Sequence, residues 1–129
     1  MKNLQLSLKR KWFEMTKSGG KTEDYREINR YWTKRFIYNF RDVLLHTDRK
    51  IIDFISDEDA YRFILNPRSN YGFNQFNLNI VTLGYPKSTN SERVLKLEHK
   101  GIEIRTGNQE WGAEPGKLYF VIKHGFVLE

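Results

Sequence analysis

Apolar and polar positions change period along this chain. Leu4, Leu6 and Leu8 alternate with Asn3, Gln5 and Ser7, the two-residue period of a half-buried strand. Ser7 can then cap a helix over residues 8–18, because a hydroxyl takes up one of the open amide hydrogens of a first turn. Trp12 and Met15, with Phe13 and Thr16 beside them, give that helix an inner stripe, and Gly19 supplies the left-handed ending. Lys9, Arg10 and Lys11 at its start oppose the helix dipole, a small cost unless an anion binds nearby.

A strand is predicted over residues 21–28, with Lys21, Glu23, Tyr25 and Glu27 on one face and Thr22, Asp24, Arg26 and Ile28 on the other. Neither face is apolar. A strand carrying both signs of charge is either a functional site, where local rules tend to break, or a solvated edge whose charges pair across it. Asn29 can cap a second helix through about residue 40, with Trp32 and Phe36 one turn apart on its inner face. Ile51, Ile52, Phe54 and Ile55 form an apolar run that suits strand or helix. Ser56 with Asp59 resembles a capping box ahead of a helix to Leu65, which Asn66-Pro67 ends.

From residue 75 the period becomes strand-like. Phe76, Leu78 and Ile80 alternate with asparagines up to about Leu83, and residues 84–91 make a polar turn. In the next strand, residues 94–105, Leu95 and Leu97 share a face while Ile102 and Ile104 have the opposite parity, so Gly101 marks a bulge that resets the register. Residues 107–116 are a glycine-rich loop around Trp111. The unbroken apolar run from Leu118 to Ile122 reads as a central strand, interrupted by His124-Gly125. The pattern predicts an α+β fold, a mixed or antiparallel sheet curled towards a small barrel and flanked by helices, in one domain spanning residues 1–129.

Composition narrows the chemistry. The 129 residues suffice for one core. No cysteine is present, which excludes disulfides, thiolate metal sites and thiol nucleophiles. His46, His99 and His124 share no ligand spacing, so no metal and no cofactor is expected, and His99 and His124 read as ordinary strand residues. No apolar run approaches the roughly 20 residues that cross a bilayer, and the N-terminus lacks a signal-peptide core; a cytoplasmic protein with no membrane partner is the expectation.

Charge is uneven. Residues 1–50 hold 13 Lys and Arg against 6 Asp and Glu, and residues 51–129 hold 9 against 10. The segment from Trp12 to Phe40 also carries eight of the 19 aromatics. Basic residues interleaved with rings suit a surface that meets phosphates and stacks on bases; they equally suit a helix pair whose rings form core while Lys and Arg face water.

Two separated blocks carry a resemblance. The first runs from Leu6-Ser7-Leu8-Lys9 through Ser18-Gly19-Gly20-Lys21-Thr22-Glu23-Asp24-Tyr25-Arg26-Glu27-Ile28 to Tyr31-Trp32 and Arg35; the second comprises Thr82-Leu83-Gly84-Tyr85, Lys100-Gly101-Ile102, Glu110-Trp111-Gly112-Ala113 and Tyr119-Phe120-Val121-Ile122. Together they resemble the ASCH domain family, whose members share a PUA-like β-barrel and a Gly-x-Lys-Thr-x-x-x-Arg signature after the first helix. Residues 36–75 look like an insertion relative to that pattern. The resemblance implies a cleft beside the barrel for RNA or a nucleotide-like ligand. Some small members hydrolyse the amide of N4-acetylcytidine with the signature Lys, a Thr three residues later and a distant Glu. Lys21 matches that Lys, but Asp24 stands where those members carry Thr, and a carboxylate attacking an acyl group would form a labile anhydride.

The expected binding residues are therefore Lys9, Lys21, Thr22 and Arg26, with Tyr85 and Trp111 as flat surfaces. Each has a structural alternative: a solvated turn for Lys21, a pair with Glu23, Glu27 or Glu114 for Arg26, a loop anchor for Trp111. For an enzyme, Lys21 would work with Asp24, Glu23 or Glu114. A protein-interaction module built on the insertion is the third function class, and the sequence is silent on oligomeric state.

Overall fold

The computed structural model describes residues 2–38, 56–84 and 91–128. Five strands form one sheet: β1 (Lys2–Leu8), β2 (Glu23–Arg26), β3 (Phe76–Leu83), β4 (Val94–Thr106) and β5 (Leu118–Val127). Three helices accompany it: α1 (Arg10–Lys17), α2 (Arg30–Phe36) and α3 (Asp57–Leu65). The strand order is β1-β3-β4-β5-β2. β1 lies parallel to β3, and the β3/β4, β4/β5 and β5/β2 pairs are antiparallel. The sheet curls into a half-barrel, a small α+β architecture of the predicted kind.

Arg26 connects the two edges. It ends β2, one margin of the sheet, and its Nη2 donates to the carbonyl of Ser7 in β1, the other margin, at 3.1 Å. The curl thus brings the two outer strands within one side chain of each other. Leu4, Leu6 and Leu8 of β1, Val81 and Leu83 of β3, Leu95 and Leu97 of β4 and Phe120 and Ile122 of β5 fill the concave side. Phe36 of α2 closes it, edge-on to Phe120 at 5.1 Å and stacked on Trp32 at 5.2 Å.

Local signals account for most element ends. Asn29 accepts from the Trp32 amide at 2.9 Å, as a cap should. Ser56 and Asp59 form a reciprocal capping box on α3, and Asn66 ends that helix. Gly19 follows α1 with φ +84°. Gly101 has φ +106° at the point where the β4/β5 register shifts between His99 and Ile102, the predicted bulge.

Other expectations are corrected. Ser7 lies inside β1 and donates to the Gly84 carbonyl at 3.2 Å; Lys9 occupies the capping position of α1 without a side-chain cap bond. The sealed residues of α1 are Phe13 and Thr16, with Trp12 and Met15 only half-buried. The charged strand is shorter than residues 21–28, since Lys21 and Thr22 precede it and Glu27 to Asn29 turn into α2. α2 stops at Phe36, where Ile37 adopts an extended conformation and bridges to Phe73. β3 buries Asn79, Val81 and Leu83, so Phe76, Leu78 and Ile80 take the less buried face. β5 runs through His124-Gly125 without a break. The run from Ile51 to Ile55, Tyr85, His46 and most of the polar turn over residues 84–91 lie outside the described residues. Among those described, no helix is long and apolar enough to cross a membrane.

Candidate functional site: a seam hollow and a buried polar chain

The residues predicted to act divide between two places. Lys21 is enclosed, at 2 % exposure, where the chain leaves the Gly19-Gly20 turn. Its Nζ donates to Asp24 Oδ1, and Asp24 is equally enclosed. The other Asp24 oxygen contacts His124 Nε2 at 2.6 Å. His124 Nδ1 meets Asn79 Nδ2 at 2.7 Å, and Asn79 Oδ1 meets His99 Nδ1 at 2.7 Å. Five polar side chains from β2, its approach, β3, β4 and β5 thus form one continuous chain.

The Asn79 amide fixes every proton in this chain. Asn79 Nδ2 also donates to the backbone carbonyl of Lys123 at 3.3 Å, and a carbonyl can only accept. That orientation makes His124 Nδ1 an acceptor, so His124 carries its hydrogen on Nε2 and donates it to Asp24. By the same logic Asn79 Oδ1 accepts from His99 Nδ1–H. All the donors therefore point towards the Asp24 carboxylate, an alignment in which each bond polarises the next.

The charges follow from these contacts. Burial opposes ionisation of Asp24, but the His124 hydrogen bond and the Lys21 ammonium outweigh it and hold the carboxyl below its ordinary value. Burial lowers the Lys21 pKa, and Asp24 offsets part of that loss. Burial, with His124 alongside, also lowers His99.

Arg26 faces a different space. Together with Gln5, Ser7, Thr82, Tyr31, Trp32 and Arg35 it lines a hollow of about 550 Å³ along the seam between the sheet edges and α2. Its guanidinium lies 5.3 Å from the Trp32 ring centre, and that of Arg35 lies 5.3 Å from Tyr31 and 5.8 Å from Trp32. Two planar cations and two rings thus share one concavity, with Tyr31 56 % exposed. Arg35 also lines an adjoining hollow of about 440 Å³ with Lys2, Asn3 and Lys34.

The remaining expected residues are scattered. Lys9 is exposed at the start of α1. Thr22 is exposed, and its carbonyl accepts from the His124 amide at 2.9 Å, which holds the buried chain together through backbone. Trp111 sits half-buried in a short 3₁₀ turn and does not line the seam hollow. Glu23 pairs with Arg105 and accepts from the Tyr25 hydroxyl at 2.8 Å. Glu114 is exposed beside Lys117, which also takes Glu27 at 2.6 Å. Neither Glu23 nor Glu114 pairs with Lys21. Among the described residues, no group of His, Asp and Glu is arranged to hold a metal ion.

His99, Asn79 and His124 had no predicted role. One signal was present: Asn79 shares parity with Val81 and Leu83, so an asparagine with two apolar partners pointed inward. The His99 and His124 pairing across β4 and β5 depends on the register shift at Gly101 and is invisible in a linear reading.

The class that fold and site define is a small curled-sheet α+β domain with a basic, ring-lined seam. No protein-family model, curated protein or solved structure matches the chain.

Proposed function

We propose that this domain binds single-stranded RNA or a nucleotide-like molecule in the seam hollow. The observation that carries the reading is the placement of Arg26 and Arg35 over the faces of Trp32 and Tyr31 inside one concavity. Guanidinium groups meet phosphate oxygens through paired hydrogen bonds, and bases stack on rings or on guanidinium planes. The basic N-terminal half supplies long-range attraction for the same ligand. The ASCH-like motif, of which Arg26 is the final residue, points to the same class of ligand.

Fluorescence anisotropy of a short labelled single-stranded RNA at two salt concentrations tests this. Affinity is expected to fall as salt rises and to fall further in Arg35→Ala. Binding that ignores both changes removes the reading.

A second reading, hydrolysis of a nucleoside amide, draws on the match of Lys21 to the signature lysine and on its buried contact with the Asp24 carboxylate. Incubation with N4-acetylcytidine followed by chromatography for free acetate decides it. Release that disappears in a folded Asp24→Asn variant would support this reading; no release would remove it.

A further inference from the structure

The buried polar chain ends at an open lone pair. His99 Nδ1 is committed to Asn79 Oδ1 as donor, which leaves Nε2 without a hydrogen. Nε2 has no hydrogen-bond partner among the described residues, yet it is not among the sealed, unpartnered side-chain atoms there, which are Thr33 Oγ1 and Arg93 Nε. It is therefore reached from outside. His99 lines a hollow of about 410 Å³ together with Phe73, Asn74, Gln75, Phe76, Gly101 and Ile102. That volume lies in the range of small-molecule sites, roughly 300–1,000 Å³.

The lining specifies the occupant. Among the described residues it holds no Lys, Arg, Asp or Glu, so a charged ligand would lose hydration without gaining an ionic partner among those residues. Phe76 stands edge-on to the His99 ring at 5.3 Å, and Phe73 also lines the hollow; aromatic lining suits a flat ring. Asn74 Nδ2 donates one of its two hydrogens to the Arg35 carbonyl at 2.6 Å, which leaves Asn74 one further donor beside its Oδ1 acceptor. The acceptor at the centre is held in one tautomer by Asn79, whose orientation the Lys123 carbonyl fixes. A donating Nδ1–H also enriches the opposite nitrogen, so the chain leading back to Asp24 makes Nε2 a stronger acceptor. The lowered His99 pKa keeps that nitrogen unprotonated at neutral pH.

We propose that the hollow beside Phe76 is a binding site for an uncharged planar ring bearing an N–H group, held by a hydrogen bond from that group to His99 Nε2. The site shares no lining residue with the Arg26 seam and requires no phosphate, although Asn74, Gln75 and Phe76 also line the intervening hollow that carries Lys2, Lys34 and Arg35. Asn79 acts as a positioning residue: its amide cannot relay a proton between the two histidines, and it serves to keep the Nε2 lone pair open.

The experiment uses ¹⁵N-labelled protein and two probes, uracil and 1,3-dimethyluracil, which share a ring and differ in the N–H groups. In the protein without probe, the ring nitrogens of His99 are expected to show the Nδ1–H tautomer and those of His124 the Nε2–H tautomer. Uracil is expected to shift the His99 Nε2 and Phe76 ring signals saturably, and 1,3-dimethyluracil to bind about tenfold more weakly for want of the hydrogen bond. In His99→Phe, which keeps a flat ring, the two probes should bind alike. An Nε2–H tautomer at His99, no saturable shift with uracil, equal affinity for both probes in the wild type, or a preference for uracil that survives His99→Phe would each overturn the proposal. No RNA enters the measurement, so its outcome is separable from that for the seam.

Discussion

Asp24 and His124 are a hundred residues apart in the chain, and their side chains meet at 2.6 Å inside the sheet. With Lys21 on the other oxygen, the carboxylate has both of its faces occupied and almost no contact with solvent. Removing it strands an ammonium and a ring N–H where water cannot follow. Asp24→Ala is expected to cost about 3–5 kcal/mol, the range for breaking a buried ion pair from one side. Urea denaturation measures it.

The same contacts set a response to acid. The folded-state pKa of Asp24 is depressed, so its contribution is present above the ordinary value of 3.8 and is lost as pH falls through the lower folded value. His99 adds a second step. Its neutral form is preferred in the fold, so that contribution is complete above 6.5 and declines as pH drops from there to its lower folded value. Urea midpoints followed downward in pH should show both, and His99→Gln should abolish only the upper one.

Tyr31 offers its ring to solvent at the mouth of the seam hollow. Tyr31→Ala should leave the unfolding midpoint nearly unchanged and weaken single-stranded RNA binding by about 1–3 kcal/mol, the cost of losing one stacking surface. Anisotropy titration alongside thermal unfolding separates the two effects.

Gly112 follows the 3₁₀ turn at Trp111 with φ +95°, and a Cβ placed there would stand 2.9 Å from Trp12 Cζ2. Gly112→Ala meets both a disfavoured backbone conformation and the face of an indole on α1. A loss of about 1–3 kcal/mol is expected, readable as a lower urea midpoint.

Ser56 Oγ accepts from the Asp59 amide at 3.0 Å, and the Ser56 amide donates to Asp59 Oδ2 at 3.3 Å. Ser56→Ala should destabilise α3 by about 1 kcal/mol. Hydrogen exchange should show the loss first in the amides of the opening turn, Asp57 to Asp59.

The elements that could be read from the sequence are those specified by neighbours in the chain. Asn29, Gly19, the Ser56–Asp59 box and the parity change at Gly101 act over two to five residues, and each was legible. Register was not. The apolar face of β3 was assigned from Phe76, Leu78 and Ile80, and the parallel pairing with β1 turned the strand so that Asn79, Val81 and Leu83 face inward. Lys21 looked like a solvated or ligand-facing lysine because its enclosure depends on Asp24, and Asp24 in turn on His124, which joins it only across the β5/β2 pair. Arg26 was singled out for its chemistry, but its stacking on Trp32 needed the turn between β2 and α2, which folds the helix back over the seam.

The strand order has a consequence for how the molecule is made. β1 finds its hydrogen-bonding partner only in β3, some seventy residues later, and β2 waits for β5, where Asp24 pairs with Ile122. Neither margin of the sheet can therefore be completed early, and closure by long-range pairing is slow compared with helix formation. A nascent chain halted before residue 118 would leave Lys21 and Asp24 without the strand that encloses them. Its half-made sheet would be a substrate for chaperones, and the domain should mature only once β5 has been made.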